Sequence, residues 1–159
     1  MARGRSASEG AVDMGLKLRM RGEERRIASQ HERLDDLCRE VYARIGKDGA
    51  SSALDEFILF ETALDAHMSV EEEIYFPALH GLRADIGEEL TGLVEEHGWL
   101  RSQAAQLEGL LRGGDAEGAR AALDRLARDV STHEQLEEAL IARITEGPVT
   151  PMGHSSLEA

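Results

Sequence analysis

Apolar residues recur along this chain at alternating steps of four and three, the period that keeps one stripe of an α-helix against its neighbours. Ile27, His31, Leu34, Cys38, Val41 and Ile45 form one stripe, and Phe57, Phe60, Leu64, His67, Glu71, Ile74 and Ala78 a second. Leu90, Leu93, His97, Leu100, Ala104, Leu107 and Leu111 form a third, and Leu123, Leu126, Val130, His133, Glu137, Leu140 and Ile144 a fourth. Helix boundaries fall between them. Asp13 is placed to N-cap the first helix, which is expected to stop near Gly46. Ser51 or Ser52 opens the second, with Asp55 in a capping-box position, and Pro77 falls near its end. The third runs from about Asp85 to Arg112, where Gly113 and Gly114 end it, and Asp115 caps a fourth that reaches about Ile144. Four long helices with short connections predict an all-α, up-down-up-down antiparallel four-helix bundle over residues 13–146, with disordered tails over 1–12 and 147–159.

The stripes carry an anomaly. His31, His67, Glu71, His97, His133 and Glu137 stand where the pattern calls for apolar residues. An unpartnered carboxylate inside a bundle costs several kcal/mol, and neutral imidazoles cannot neutralise two of them. Metal cations can. His67 with Glu71 and His133 with Glu137 share a spacing of four, which stacks both side chains on one helix face. The heights also agree: His31 lies fourteen residues before Ile45 and His67 fifteen after Ser52, a match within about 1.5 Å of helix rise. The second hairpin matches more loosely, with His97 fifteen residues before Arg112 and His133 eighteen after Asp115. Both hairpins separate their histidines by 36 residues, and the two sets lie 66 residues apart. That regularity predicts a duplicated helical hairpin with a metal centre on the pseudo-twofold between the copies.

The ordered set His31, His67-Met-Ser-Val-Glu71, His97 and His133-Glu-Gln-Leu-Glu137, together with EEEIYFPAL at 71–79, resembles the hemerythrin-like, or HHE cation-binding, domains. The resemblance covers roughly residues 27–145. It implies two iron ions, oxo- or hydroxo-bridged, with Glu71 and Glu137 as bridging carboxylates; manganese or zinc is the lesser expectation. Oxygen-carrier hemerythrins have a second histidine four residues after the third-helix one, and here Arg101 stands there. They also use His-x-x-x-x-Asp on the last helix, where this chain offers Glu138 at the matching offset and Glu137 one earlier. The stripe favours Glu137 over Glu138 and Glu71 over Glu72, because the later residue of each pair rotates off it. Four histidine nitrogens, two bridging carboxylates and a solvent bridge supply about ten of the roughly twelve bonds that two octahedral ions take. A centre so open leans toward reaction with O2, peroxide or NO, or toward sensing, and away from storage.

Composition narrows the classes further. Eighteen basic against 31 acidic residues give a net charge of −13, which argues against nucleic acid as a partner. The basic residues cluster early, with Arg3, Arg5, Lys17, Arg19, Arg21, Arg25 and Arg26 in the first 26, a pattern read as a solvated helix end. No apolar run approaches the length of a membrane span, the leading MARGRSASEG has no apolar signal core, and Cys38 is a lone cysteine, so a cytoplasmic protein is expected. No HExxH, Walker or Rossmann motif occurs. Tyr75 is expected to pack at the bundle wall, with a bond to a metal or to bound oxygen the lesser reading, and Arg101 to be solvated, with an anion or an acid above the site as its lesser partner; Cys38 is expected to be a small buried filler, and His80 and His154 to be surface residues. Glu24, two turns before His31 on its stripe, is a lesser candidate for proton relay or an extra ligand. Leu64, Leu93, Leu100, Val130 and Leu140 would keep the centre dry. The competing functions are a di-iron protein binding or reducing a small oxidant, with an electron-donor protein as a possible partner; an iron or oxygen sensor acting through a regulatory partner; and an inert zinc-holding bundle.

Overall fold

The computed structural model describes the backbone of residues 7–146 and the side chains of 18–145. The helices are α1 (Ala7–Asp48), α2 (Leu54–Val70), α3 (Phe76–Leu82), α4 (Gly87–Arg112) and α5 (Ala116–Glu146), and the described residues contain no strand. A π-helical turn over Glu71–Tyr75 joins α2 and α3 into one rod, so four rods make the bundle. α1 packs on α2 and α5, and α4 packs on α5 and α2, the ring expected of an antiparallel up-down-up-down bundle.

The breaks between rods have local causes. Gly49 and Gly114 adopt φ of +91° and +74°, the left-handed conformation that lets a helix end sharply and that glycine reaches without a Cβ clash. Asp115 caps α5 as expected: its Oδ1 accepts a hydrogen bond from the Gly118 N–H at 2.9 Å. The second helix opens differently. Ser51–Ala53 form a 3-10 turn, and the Ser52 hydroxyl donates backwards to the Gly49 carbonyl at 2.7 Å instead of capping α2. The first helix also departs from expectation, since it begins at Ala7 and carries Asp13 inside it. Of the tail expected over 1–12, residues 7–12 are helical instead, whereas 1–6 and the expected tail over 147–159, with His154, lie outside the described residues.

The stripe of the second rod needs one correction. Ile74 is 65% exposed and Ala78 is also exposed, while Phe76 and Leu79 are buried in their place. The π turn is the reason: the Phe76 N–H bonds the carbonyl five residues back, at Glu71, and adds one residue to that turn. Pro77 explains why it forms there. In a continuous α-helix its ring would press on the carbonyl of Glu73, and widening the preceding turn relieves this without breaking the rod. The remaining stripes are buried as read, apart from Cys38, which is only half-buried and lines a surface groove with Asp35, Tyr42 and Asp124.

The core is divided in two. One cluster gathers Leu34, Phe57, Phe60, Leu64, Leu100, Leu107, Leu126 and Val130; the other gathers Ile27, Phe76, Leu79, Ile86, Leu90, Leu93, Leu140 and Ile141. Between the two lies a polar layer of histidine and glutamate.

Candidate metal centre

All six polar stripe residues are buried: His31, His67, Glu71, His97, His133 and Glu137 are 0–6% exposed. Ligand atoms of His31, His67, Glu71 and Glu137 lie within 4.8 Å of one another, as do those of Glu71, His97 and His133. Each hairpin brings its histidines face to face. The Nε2 atoms of His31 and His67 are 3.2 Å apart, and those of His97 and His133, whose heights match less well along the sequence, are 2.9 Å apart. Glu71 spans the two pairs, with Oε1 2.8 Å from His67 Nε2 and Oε2 3.1 Å from His97 Nε2. Glu137 Oε2 lies 3.7 Å from His31 Nε2. Despite these short distances no oxygen of either carboxylate receives a properly directed hydrogen bond.

The other ring nitrogens explain this. His31 Nδ1 faces Glu138 Oε1 at 3.0 Å, His67 Nδ1 faces Gln30 Oε1 at 2.8 Å, His97 Nδ1 faces Glu72 Oε1 at 2.8 Å and His133 Nδ1 faces Glu96 Oε2 at 2.7 Å. Every partner is an oxygen acceptor, so each Nδ1 carries the proton. In the neutral rings Nε2 is then a bare lone pair. With all four rings neutral, four lone pairs and four carboxylate oxygens converge on one small volume with nothing positive between them. Hydrogen bonds cannot satisfy that arrangement, but cations can, and imidazoles anchored through Nδ1 are the usual form of metal-ligating histidine.

The electrostatics carry the same signature. Burial alone would lower the His31 pKa, yet Glu137, Glu134 and Glu138 overcome it and carry it up to about 9. His97 is also raised, against burial, by Glu71 and Glu72, whereas His133 is lowered, mainly by burial. Burial would raise the Glu71 carboxyl, but His67 and His97 hold it well below the usual range. Glu137 is pushed up to about 7 by burial and by the neighbouring Glu71 charge. Two carboxylates facing each other this closely cannot both stay ionised comfortably without a countercharge.

Several residues have roles that the sequence reading did not give them. Glu72 and Glu138, passed over as ligands because they leave the stripe, are the acceptors that fix His97 and His31. Gln30 and Glu96, one residue before His31 and His97, do the same for His67 and His133. All four are related in pairs by the same 66-residue offset as the histidines, which was the available signal. Arg101 is not simply solvated: it bonds Asp65 Oδ1 at 2.7 Å and Glu72 Oε1 at 2.8 Å. Phe76, turned inward by the π turn, stacks on His97 at 5.7 Å between ring centres. Tyr75 packs against the second core cluster, but its hydroxyl is buried without a partner, and burial with the charges of Glu137, Glu23 and Glu24 raises its pKa. Glu134, one residue after His133, is 8% exposed and its Oε1 has no partner; burial pushes it up to about 7. The five aliphatic wall residues are all buried at 2–5% exposure, and His80 is on the surface.

A layer of paired imidazoles and carboxylates across a four-helix bundle defines a class of cation-binding bundle proteins. The family model of the hemerythrin HHE cation binding domain matches residues 24–144, so the chain belongs to that family, and with it goes the binding of metal cations. Searches of curated proteins and of solved structures returned no significant match. None of the helices in the described residues is long and apolar enough to cross a membrane.

Proposed function

We propose that this chain holds two iron ions in the polar layer and binds or reduces a small oxidant there, O2, peroxide or NO. His31 and His67 would hold one ion, His97 and His133 the other, and Glu71 and Glu137 would bridge them. The observation that carries the reading is the inward convergence of the four Nε2 lone pairs, each fixed by an acceptor on Nδ1. The donor set of nitrogen and carboxylate oxygen, with no thiolate, suits iron. When bound, the pair would supply two electrons to an oxidant.

The protein's own contribution is positioning and exclusion of water. Glu71 keeps the hairpins at a fixed separation by facing a histidine of each. Phe76 caps His97, and Leu64, Leu93, Leu100, Val130 and Leu140 close the layer on both sides, which limits escape of reactive oxygen products. The buried Tyr75 hydroxyl, lacking a partner, keeps its proton and is available as a donor to a small molecule held beside Glu137. The deciding experiment is metal analysis and an optical spectrum of protein purified in air and then reduced. About two irons per chain with near-ultraviolet charge-transfer bands that bleach on reduction is the expected result. A chain that carries only zinc, or no metal, overturns it.

A further inference from the structure

The 66-residue offset that maps His31 on His97 and His67 on His133 also relates two grooves on the outside of the bundle. One, of about 540 Å³, lies between α2 and α4 and is lined by Asp65, Met68, Arg101 and Ala104. The other has the same volume, lies between α1 and α5, and is lined by Asp35, Cys38, Asp124 and Ala127. The offset pairs Asp35 with Arg101 and Cys38 with Ala104, so these are the same groove in the two halves of the pseudo-twofold.

Their charges are opposite. Across the α2–α4 groove the Arg101 guanidinium ties the helices together, donating to Asp65 Oδ1 at 2.7 Å and to Glu72 Oε1 at 2.8 Å. The buried side chain lining that groove is the uncharged thioether of Met68, 1% exposed. In the α1–α5 groove Asp35 stands where the other has Arg101, and Glu134 stands where the other has Met68. Asp35 and Asp124 both act on the Cys38 thiol, which sets the two carboxylates around one point of the groove. Arg39 also lines it, but its guanidinium is paired with Asp36 at 2.7 Å.

Glu134 links this groove to the polar layer. It is more than nine-tenths buried, and its Oε1 has no partner. The charged neighbours acting on it are His31 and His67 of the layer, Asp35 of the groove, and Glu138, which anchors His31. Glu134 belongs to neither group of converging ligand atoms. A divalent ion crossing an apolar wall loses hydration, and a carboxylate part-way replaces some of what is lost. A guanidinium at the equivalent place repels the ion instead.

We propose that divalent cations reach and leave the polar layer through the α1–α5 groove, passing from Asp35 and Asp124 to the Glu134 carboxylate and on to His31 and Glu137, and that Arg101 bars the equivalent α2–α4 groove to them. This rests on the reading of the layer as a cation site. It gives Glu134 a part in transit and none in holding the ion.

The test follows Co(II) by visible absorbance in full-length protein, both taken up by the metal-free chain and released from the loaded chain into excess chelator. Glu134→Gln is expected to slow uptake and release alike by about tenfold, with stoichiometry and dissociation constant unchanged, because a group used only in transit lowers the barrier in both directions. Asp35→Asn, on the surface, slows uptake severalfold at low ionic strength. Ala127→Trp, filling the α1–α5 groove, slows both processes, whereas Ala66→Trp, filling the α2–α4 groove, changes neither. A Glu134→Gln protein that releases Co(II) faster or binds fewer equivalents makes Glu134 a ligand and overturns the proposal. Wild-type rates in both Glu134→Gln and Ala127→Trp, or slowing by Ala66→Trp, overturn the route and leave the cation site intact. Wild-type protein that takes up no Co(II) overturns the reading of the layer itself.

Discussion

A histidine in a protein interior has two nitrogens to satisfy, and in this chain the two are treated oppositely. Nδ1 of each ligand-candidate ring is paired with an oxygen, and Nε2 points into the polar layer, where it faces the Nε2 of the other histidine of its hairpin. Removing one such ring removes a proposed ligand and leaves the facing carboxylate more exposed to its neighbour. His67→Ala should therefore lose most of the bound metal, while His80→Ala, altered on the surface, should retain it; elemental analysis of both variants decides. Cys38 gives a second prediction at this scale. Burial, followed by the charges of Asp35 and Asp124, raises its pKa from 9.0 to about 11. The thiolate is the reactive form, so alkylation of native protein at pH 8 should run about a hundredfold slower than in the unfolded chain. The sign for stability follows: between pH 9 and about 11 the unfolded chain gives up this proton first, so the Cys38 contribution to stability is present below pH 9 and lost as pH rises through that interval.

Among the elements, the fourth rod is the most conventionally built and offers the plainest stability test. Asp115 satisfies an otherwise unpaired N–H at the start of α5, and Asp115→Ala should cost about 1 kcal/mol in denaturant unfolding with an unchanged m-value. What the sequence made legible divides along physical lines. The six polar intrusions were visible because a strict 3-4 stripe turns any polar residue on it into an exception, and an exception repeated at one offset is a pattern. The inward turn of Phe76 and Leu79 was not visible, since a π turn shifts the period by one residue and only Pro77 hints at it. Gln30, Glu72, Glu96 and Glu138 sit beside the stripe and are indistinguishable by periodicity from solvated charges. Their role appears only when the neighbouring helix places a ring nitrogen against them. Glu134 escaped for a related reason: the stripe skips it, and only the packing of α5 against α1 buries it.

For the whole molecule, the cations are as much a structural matter as a chemical one. A ligand held at a hundredfold excess over its dissociation constant stabilises the folded state by about 2.7 kcal/mol, which for a chain of this size is on the order of 5–10 °C in Tm. Treatment with a strong chelator should lower the melting temperature by at least that much, measured by circular dichroism; an unchanged Tm would mean the layer is stable without metal. The loss should not be evenly distributed. The layer separates the cluster around Phe57 and Leu107 from the smaller one around Ile86 and Ile141, so the molecule is in effect two short barrels threaded on the same rods and bolted across the join. Drawing the bolt should leave the larger barrel standing. The smaller one, bearing the early part of α1 and the end of α5, should then fray, so a chemical change at the centre would be felt as mechanical slack at one end of the protein.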